Sequence, residues 1–266
     1  MPHVQINDID LFYDIKGTGK PLVLISGFLC DHTYWSILMS HLTKNYQVIR
    51  VDNRGMGRSS AIDKPYNILH MADDIAALLR KLGINQAQII GHSMGGQIAQ
   101  ELALAYPEIV EKLILISTWA KPDFRLCSII STWSELAGKI DLALYQKTIL
   151  PWIYTEEFYN IPDMIDMLIN MAVNYNFPPL PQTIWHHSQA IIASNTFDRL
   201  KYIDCPTQII VGQEDILTPV KFAYELSQNI ANGELVILEK CGHGIVIESP
   251  EILASTISKF LNSLEK

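Results

Sequence analysis

Hydrophobic residues follow two alternating spacings along the first 118 positions of the chain. Short continuous apolar runs are typical of strands that are buried on both faces of a parallel sheet. Such runs occupy residues 21–25, 46–51, 87–90 and 112–117. Between the runs, apolar residues recur every three or four positions, most clearly over residues 67–82, where Gly83 gives a helix stop signal. A helical stretch is also predicted over residues 33–42, after Asp31. This alternation predicts right-handed βαβ units and a largely parallel sheet.

The two ends of the chain extend the same pattern. Residues 3–7 and 10–15 alternate between apolar and polar positions around a short Asn-Asp turn, which predicts a β-hairpin. Buried-strand runs return at residues 207–212 and 234–238, and helical spacing returns at about 219–230 and 249–264. The closing part of the chain therefore continues the strand and helix alternation of the opening part.

The stretch between residues 119 and 200 has a different pattern. Helix-like segments dominate it, and prolines interrupt them. Four of the five tryptophans lie in this stretch, namely Trp119, Trp133, Trp152 and Trp185. Because strand-like runs lie before and after it, we interpret residues 119–200 as a helical cap inserted into a core that consists of residues 1–118 and 201–266.

The composition excludes several classes of protein. A hydrophobic share of 48% and a charged share of 18% are ordinary for a soluble globular domain. The net charge of −8 and the lack of a Lys/Arg run argue against nucleic-acid binding. No segment approaches the roughly 18 consecutive apolar residues of a membrane span, and no signal peptide is visible at the N-terminus. We therefore expect a cytoplasmic protein.

The cysteines give no sign of a disulfide framework or a metal site. There are four of them, at Cys30, Cys127, Cys205 and Cys241, and they are far apart in the chain. None belongs to a CxxC pair or has the spacing of metal ligands. We expect free thiols and no bound metal.

The sequence GHSMGG at residues 91–96 lies between a strand-like run and a helix-like stretch. A strand, a sharp turn and a helix with a serine at the apex form a nucleophile elbow. In such an elbow the strand and helix pass too close for side chains at Gly91 and Gly95. The following helix also directs N–H groups at Ser93, where an oxyanion would develop. Ser93 is therefore the candidate nucleophile.

A serine nucleophile needs a base within hydrogen-bond reach, and the base needs an acid to hold it. Asp215 follows the strand at 207–212, and His243 follows the next strand. The chain order Ser, Asp, His is the order of this elbow class, and the loops after parallel strands converge on one crevice. We predict a catalytic triad of Ser93, Asp215 and His243, and we favour Asp215 over its neighbour Glu214 as the acid.

With these residues identified, the chain resembles the α/β-hydrolase superfamily over essentially its whole length. Residues 52–59 (DNRGMGRS), 91–96 and 212–215 (GQED) are similar to the same pieces of small carboxylesterases and enol-lactonase-like members. The resemblance implies an α/β fold with an eight-stranded, mostly parallel sheet, helices on both faces and an inserted helical cap. It also implies an oxyanion hole that is made of the backbone N–H groups of Phe28 and Met94.

Two features refine this resemblance. Many members carry His-Gly in the first oxyanion loop, whereas this chain has Ser26 and Gly27. Because the hole uses backbone donors we expect it to survive, with different hydrogen bonding in the loop. Epoxide hydrolases and haloalkane dehalogenases of this fold use an aspartate nucleophile, and Ser93 argues against both.

Several other polar residues favour a structural interpretation. His92 adjoins Ser93, but adjacent residues on a turn point apart, so we expect it to pack. Asp52 and Arg54 resemble a loop-organising pair of the superfamily. For His186 and His187 we favour a packed or solvated helix face over a pocket-lining role, and nothing in the sequence marks Cys30 or Cys241 as reactive.

The expected activity is hydrolysis of a small or medium carboxylic ester or lactone through an acyl-enzyme, with no metal or organic cofactor. The cap tryptophans Trp119, Trp133, Trp152 and Trp185 are candidate walls of the substrate pocket, and they fit a simple core equally well. Thioester cleavage or carbon–carbon hydrolysis by the same triad stays open, as do a slow-turnover hydrolase-fold receptor and a silent binding protein. The fold and triad leave the substrate, the pathway and the oligomeric state unspecified.

Overall fold

A computed structural model describes residues 3–263 of the chain. The strands it contains are β1 (His3–Ile6), β2 (Ile9–Lys16), β3 (Lys20–Ile25), β4 (Tyr46–Val51), β5 (Ala87–His92), β6 (Val110–Ile116), β7 (Thr207–Gly212) and β8 (Gly233–Leu238). They form one sheet in the order β1-β2-β4-β3-β5-β6-β7-β8. The pairs β1/β2 and β2/β4 are antiparallel, and all other neighbouring pairs are parallel. The predicted eight-stranded, mostly parallel sheet is confirmed.

Helices cover both faces of the sheet. They are α1 (Met39–Leu42), α2 (Ile68–Lys81), α3 (Met94–Ala105), α4 (Phe124–Leu136), α5 (Leu142–Ile153), α6 (Glu156–Tyr159), α7 (Met164–Val173), α8 (Pro181–Ala193), α9 (Val220–Asn229), α10 (Ile245–Glu248) and α11 (Pro250–Leu261). Short 3₁₀ helices occupy His32–Leu38, Pro107–Ile109 and Phe197–Tyr202. Among residues 3–263, no helix is long and apolar enough to cross a membrane.

The central strand β3 is buried on both faces of the sheet because its side chains from Leu22 to Ile25 are all apolar. Successive side chains of a strand point to opposite faces, and in β3 Val23 and Ile25 pack with α2 and α3 in one cluster. Leu22 and Leu24 instead pack with α11 and the 3₁₀ helix at His32–Leu38 in a second cluster. A continuous apolar run therefore places β3 at the centre of the sheet, with its carboxyl end close to that of β5.

The chain between β6 and β7 contains α4 to α8 and a 3₁₀ helix, but no strand within the described residues. The strand β6 ends at Ile116 and β7 begins at Thr207. Helix α4 packs against α8, and α5 packs against α7. The division into a core and a cap at residues 119–200 stays a prediction about domain organisation.

Two helix boundaries differ from the sequence-based expectation. The helix expected over residues 33–42 is a 3₁₀ helix at His32–Leu38 that continues into α1. His32, Trp35 and Leu38 are its buried residues, and their spacing of three matches the three residues per turn of a 3₁₀ helix. The closing helix, expected at about 249–264, is α11 in the structure. Residue 264 lies outside the described residues, as do residues 1–2.

Candidate active site

Ser93 forms the turn between β5 and α3. It has φ 55° and ψ −121°, a strained backbone conformation for a residue with a side chain. Two hydrogen bonds hold this conformation. The Ser93 N–H donates to the carbonyl of Ile116 at 2.9 Å, and the Thr118 hydroxyl donates to the Ser93 carbonyl at 2.7 Å. Ser93 is 7% exposed and lines a cavity.

The glycines of residues 91–96 allow the strand and helix to approach. A Cβ atom on Gly91 would overlap the carbonyl of Gly95, and one on Gly95 would overlap the carbonyl of Ile25. A Cβ on Gly96 would lie 2.6 Å from the side chain of Thr118. No rotamer change relieves an overlap with backbone, so Gly91 and Gly95 are required as glycines.

Asp215 and His243 meet beyond the carboxyl ends of β7 and β8. The Nδ1 atom of His243 lies 2.9 Å from Oδ2 of Asp215, and both side chains are buried. Because a carboxylate oxygen accepts, Nδ1 carries the proton and Nε2 is left as the basic nitrogen. Ser93 and His243 line the same cavity. The structure thus brings together the three residues that the sequence singled out.

Asp215 remains ionised despite its burial. Burial alone raises the pKa of this carboxyl, but the nearby His243 and several hydrogen bonds outweigh it, so that the pKa lies below its ordinary value. The donors include the N–H groups of Leu217 at 3.0 Å and Thr218 at 2.7 Å, both to Oδ1. A buried carboxylate that is held in this way can stabilise a positive charge on the adjacent imidazole.

Thr218 is a residue of this cluster that the sequence reasoning missed. Its hydroxyl lies 2.7 Å from Oδ2 of Asp215, 3.0 Å from Nδ1 of His243 and 3.1 Å from the carbonyl of Ser117. One hydroxyl therefore contacts both the candidate acid and the candidate base. The available signal was a threonine three residues after Asp215, which is a common spacing for side-chain bonds in a turn.

His92 contacts the candidate base, His243. Its Nε2 atom lies 3.0 Å from the carbonyl oxygen of His243, and since a carbonyl only accepts, Nε2 carries the proton. Burial, reinforced by the nearby His243, lowers the pKa of His92 to about 3. His92 is therefore neutral near pH 7, and its buried Nδ1 atom has no hydrogen-bond partner among the described residues.

The loop after β3 approaches Ser93 from the other side. A Cβ atom on Gly27 would lie 3.0 Å from the Cβ atom of Ser93. The N–H of Phe28 has no hydrogen-bond partner within residues 3–263. The N–H of Met94 is at the first position of α3, where helix donors have no intrahelical acceptor. The oxyanion hole of Phe28 and Met94 stays a prediction, and these positions next to Ser93 are compatible with it.

Ser26 closes this loop by a side-chain hydrogen bond. Its hydroxyl donates to the carbonyl of Asp31 at 2.8 Å, and its own carbonyl accepts from Nδ2 of Asn53 at 3.0 Å. Ser26 is fully buried. The serine that replaces the histidine of many family members thus gives the loop a local bond of its own.

Two cavities adjoin these residues, and we call them the inner and outer chambers. The inner chamber has a volume of about 200 Å³ and contains Ser93 and His243 in its wall. Its other walls include Trp119, Leu126, Ile130, Trp133, Ile149, Leu150, Ile153, Tyr154, Ile191 and Leu217. The outer chamber has a volume of about 710 Å³ and lies between α7 and the loop after β3.

The four cap tryptophans divide between different environments. Trp119 and Trp133 are buried and line the inner chamber. Trp152 lines neither chamber. The guanidinium carbon of Arg125 lies over the Trp152 ring, 5.4 Å from the ring centroid. Trp185 also lines neither chamber and is 48% exposed. A pocket role is supported by position for the first two only.

The remaining residues of interest have structural partners. Asp52 accepts from the N–H groups of His32 at 2.7 Å and Arg58 at 2.9 Å, and Arg54 binds the carboxylate of Asp74 at 2.8 Å. These contacts organise the loop after β4, as expected.

The other histidines and cysteines lie outside the acid–base cluster. His187 is fully buried, and its Nε2 atom donates to the carbonyl of Arg54 at 3.0 Å. His186 is buried and its ring lies 5.2 Å from that of Tyr66. Burial raises the pKa of the Cys30 thiol to about 12, which makes it a poor nucleophile. Cys241 donates to the carbonyl of Glu239, and Glu214 is exposed.

Asp31, His32 and Asp52 have ligand-type atoms within 4.8 Å of one another. Each carboxylate already has partners, since Asp31 accepts from Thr33 at 2.8 Å and from Tyr175, and Asp52 binds Nδ1 of His32 at 2.6 Å. A cation would have to replace these bonds.

Comparison with known proteins gives a consistent family assignment. The family model described as alpha/beta hydrolase fold matches residues 20–250. A protein of Pseudomonas savastanoi pv. phaseolicola named "Putative carbamate hydrolase RutD" is 30% identical over 91% of this chain and 93% of its own length. A protein of Caulobacter sp. with the same name is 25% identical over 97% of this chain and 98% of its own.

Solved structures agree with this assignment. A thermophilic esterase from Thermogutta terrifontis is 28% identical with a TM-score of 0.85, covering 95% of this chain and 93% of the esterase. The enol-lactonase from Burkholderia xenovorans LB400 is 25% identical with a TM-score of 0.90, covering 98% of this chain and 100% of the lactonase. The chain therefore belongs to the α/β-hydrolase family and is a hydrolase of that fold.

Proposed function

We propose that this protein is a serine hydrolase that cleaves a small or medium carboxylic ester or lactone through an acyl-enzyme. One observation carries the proposal. Ser93, at the strained apex of an elbow, and His243, held at 2.9 Å by Asp215, line a single apolar chamber. A hydroxyl, a base and an ionised acid at one cavity are the components of nucleophilic acyl transfer.

The reaction begins with attack of the Ser93 hydroxyl oxygen on the substrate carbonyl. His243 accepts the serine proton at Nε2, and the carboxylate of Asp215 stabilises the imidazolium that forms. The free N–H groups of Phe28 and Met94 hold the negative oxygen of the tetrahedral intermediate. The imidazolium then protonates the leaving alcohol. A water molecule, deprotonated by the same histidine, releases the acid and restores Ser93.

The electrostatic surroundings suit a neutral substrate. No Lys or Arg side chain lines either chamber within the described residues. A carboxylate or phosphate on the substrate would lose its hydration there without gaining a cation. The walls are apolar and aromatic, so an uncharged ester or lactone with a hydrophobic group is the better match.

A carbamate is the second candidate substrate. The two relatives named as carbamate hydrolases align with 97% and 91% of this chain. The same residues could attack a carbamate carbonyl. A free carbamate is anionic, and neither chamber has a Lys or Arg side chain among the described residues to bind it, although Tyr34, Gln146 and Tyr154 offer polar groups in the inner chamber. This chemistry favours the ester.

Residues 119–200 would act as the substrate-binding cap in this proposal. Trp119, together with Trp133 and other side chains of α4 and α5, forms a large part of the inner chamber wall. The proposed catalytic residues lie outside this stretch. A change in the cap should therefore alter which acyl or alcohol groups are preferred, with less effect on the chemistry itself.

A substrate panel tests the proposal. We expect turnover of short aryl esters and of an enol-lactone, with much slower turnover of aryl carbamates, acyl thioesters and a ring-fission diketone. Ser93→Ala should abolish every activity, whereas Ser255→Ala, on the exposed face of α11, should change none. Carbamate turnover above ester turnover would replace the first candidate by the second, and full activity of Ser93→Ala would end both.

A further inference from the structure

The inner and outer chambers share one wall. Five residues line both of them, namely Leu29, Cys30, Tyr34, Gln146 and Leu168. The side chain of Gln146 makes no hydrogen bond within residues 3–263. We call this shared wall the neck, and Ser93 lies on the inner side of it.

The two volumes differ enough to separate their roles. The outer chamber, at about 710 Å³, has more than three times the volume of the inner chamber, at about 200 Å³. The inner chamber also has to hold the reacting ester group beside Ser93, so it accommodates the shorter arm of a substrate. The outer chamber of about 710 Å³ is within the size range of small-molecule sites and holds a chain of more than about ten carbons.

The outer chamber has a flexible apolar wall. Met164, Met167 and Met171 of α7 line it, together with Ala172 and Phe177. Methionine side chains are unbranched and polarisable, and they adapt to irregular or flexible apolar ligands. Because this wall has no cation within the described residues, it fits an uncharged aliphatic chain better than an anionic group.

The outer chamber is open to solvent on the side of α7. Met167 is 48% exposed and Met171 is 63% exposed, although both line the chamber. A long chain could enter from this side and reach the neck without displacing the packed aromatic wall of the inner chamber. Such large exposed apolar side chains around a cavity are typical of a ligand site.

We propose that the substrate is an asymmetric ester or lactone, with one short arm in the inner chamber and one long aliphatic arm in the outer chamber. This inference rests on the proposed function, since it assigns the two arms relative to Ser93. It adds a substrate class, namely uncharged esters in which a single arm is long, and it makes α7 the element that selects that arm.

Two series of esters test the assignment. One series keeps a methyl alcohol and lengthens the acid, and the other keeps acetate and lengthens the alcohol. We expect kcat/KM to rise in one series by up to about fourfold per methylene over several carbons, from the transfer of each methylene out of water. In the other series kcat/KM should fall once the growing arm fills the smaller inner chamber. A fall in both series, or an equal rise in both, overturns the proposal.

A pair of neighbouring substitutions on α7 provides the matched control. Ala172→Phe places a ring in the outer chamber, whereas Val173→Phe places one at an exposed position that lines neither chamber. Ala172→Phe should lower kcat/KM for the long ester at least tenfold and leave the short ester within twofold. Val173→Phe should leave both unchanged. Equal effects of the two variants, or no effect of Ala172→Phe, contradict the assignment.

The failure of this inference is distinguishable from failure of the proposed function. If short esters turn over in a Ser93-dependent way but chain length has no asymmetric effect, the serine hydrolase stands and the outer chamber is not an arm site. If Ser93→Ala keeps its activity, the proposed function fails and the chamber assignment falls with it.

Discussion

The Nε2 atom of His92 donates a hydrogen bond of 3.0 Å to the carbonyl oxygen of His243. The residue next to the candidate nucleophile thus supports the backbone of the candidate base. The two rings lie 4.9 Å apart. This contact links the elbow to the loop after β8, two segments that are separated by 151 positions.

His92 variants test whether this bond positions the base. His92→Leu leaves a buried carbonyl without a donor, which costs about 1–3 kcal/mol. We expect a lower free energy of unfolding and a reduced kcat, with KM less affected. His92→Gln places an amide N–H near the position of Nε2 and should recover most of kcat. Steady-state kinetics and urea unfolding measure both effects, and a Leu variant with wild-type kcat would show that the bond does not position the base.

Asp215 and Glu214 form a matched pair for identifying the acid. Asp215 binds His243, whereas Glu214 is exposed. By analogy with loss of the orienting acid in serine proteases, Asp215→Asn should lower kcat by about 10⁴-fold. Glu214→Gln should stay within a few-fold of the wild type. The kcat of both variants is measured on one short ester. A larger loss of kcat in Glu214→Gln than in Asp215→Asn would refute the assignment of Asp215.

Thr218 offers a test of the hydroxyl between acid and base. Thr218→Val removes a hydrogen bond of 2.7 Å to the ionised Asp215. A bond to a charged group contributes about 1.5–3 kcal/mol, so kcat should fall about tenfold to a hundredfold. Because Thr218 lines neither chamber, KM should change little. Thr218→Ser retains the hydroxyl and should restore kcat, and a Ser variant as slow as the Val variant would assign the effect to packing instead.

Two buried histidines determine a pH dependence of stability. Burial lowers the pKa of His187 to about 4 and that of His92 to about 3, from an ordinary value of 6.5. Between about pH 4 and 6.5 the unfolded chain therefore binds more protons at these positions than the folded protein does. Stability should fall as pH falls through this window, by up to about 1.4 kcal/mol per pH unit for each histidine.

Urea unfolding at about pH 4.5, 5.5 and 6.5 measures this slope. His187→Gln keeps an N–H donor for the carbonyl of Arg54 but does not titrate, so it should flatten the slope. His41→Gln, at a partly exposed position of α1, serves as the control. An unchanged slope in His187→Gln would show that the buried imidazole is not the source of the pH dependence.

The fold was predictable from the sequence because the strands are continuous apolar runs. Each run, such as 21–25, needs burial on both faces, and only a central position between two helix layers provides that. The 3₁₀ helix at His32–Leu38 was harder to predict, because its burial spacing of three differs little from the helical 3.6 in a short segment.

The candidate site was predictable in its chemistry and less so in its contacts. Ser93, Asp215 and His243 each follow a strand, so the direction of the sheet brings them to one edge. The bonds of Thr218 and His92 depend on where their side chains point within turns, which residue spacing does not determine. The positions of Trp152 and Trp185 away from both chambers depend on how the helices between β6 and β7 pack.

The most direct test of the proposed function is covalent labelling of Ser93. A fluorophosphonate reacts with a serine only when a base activates the hydroxyl and an oxyanion site receives the phosphoryl oxygen. We expect one adduct per chain, mapped to Ser93 by peptide mass spectrometry, together with loss of ester turnover. Ser93→Ala should not be labelled, and Ser255→Ala should be labelled like the wild type. Labelling at another serine, or no labelling of an active protein, would contradict the assignment of Ser93 as the nucleophile.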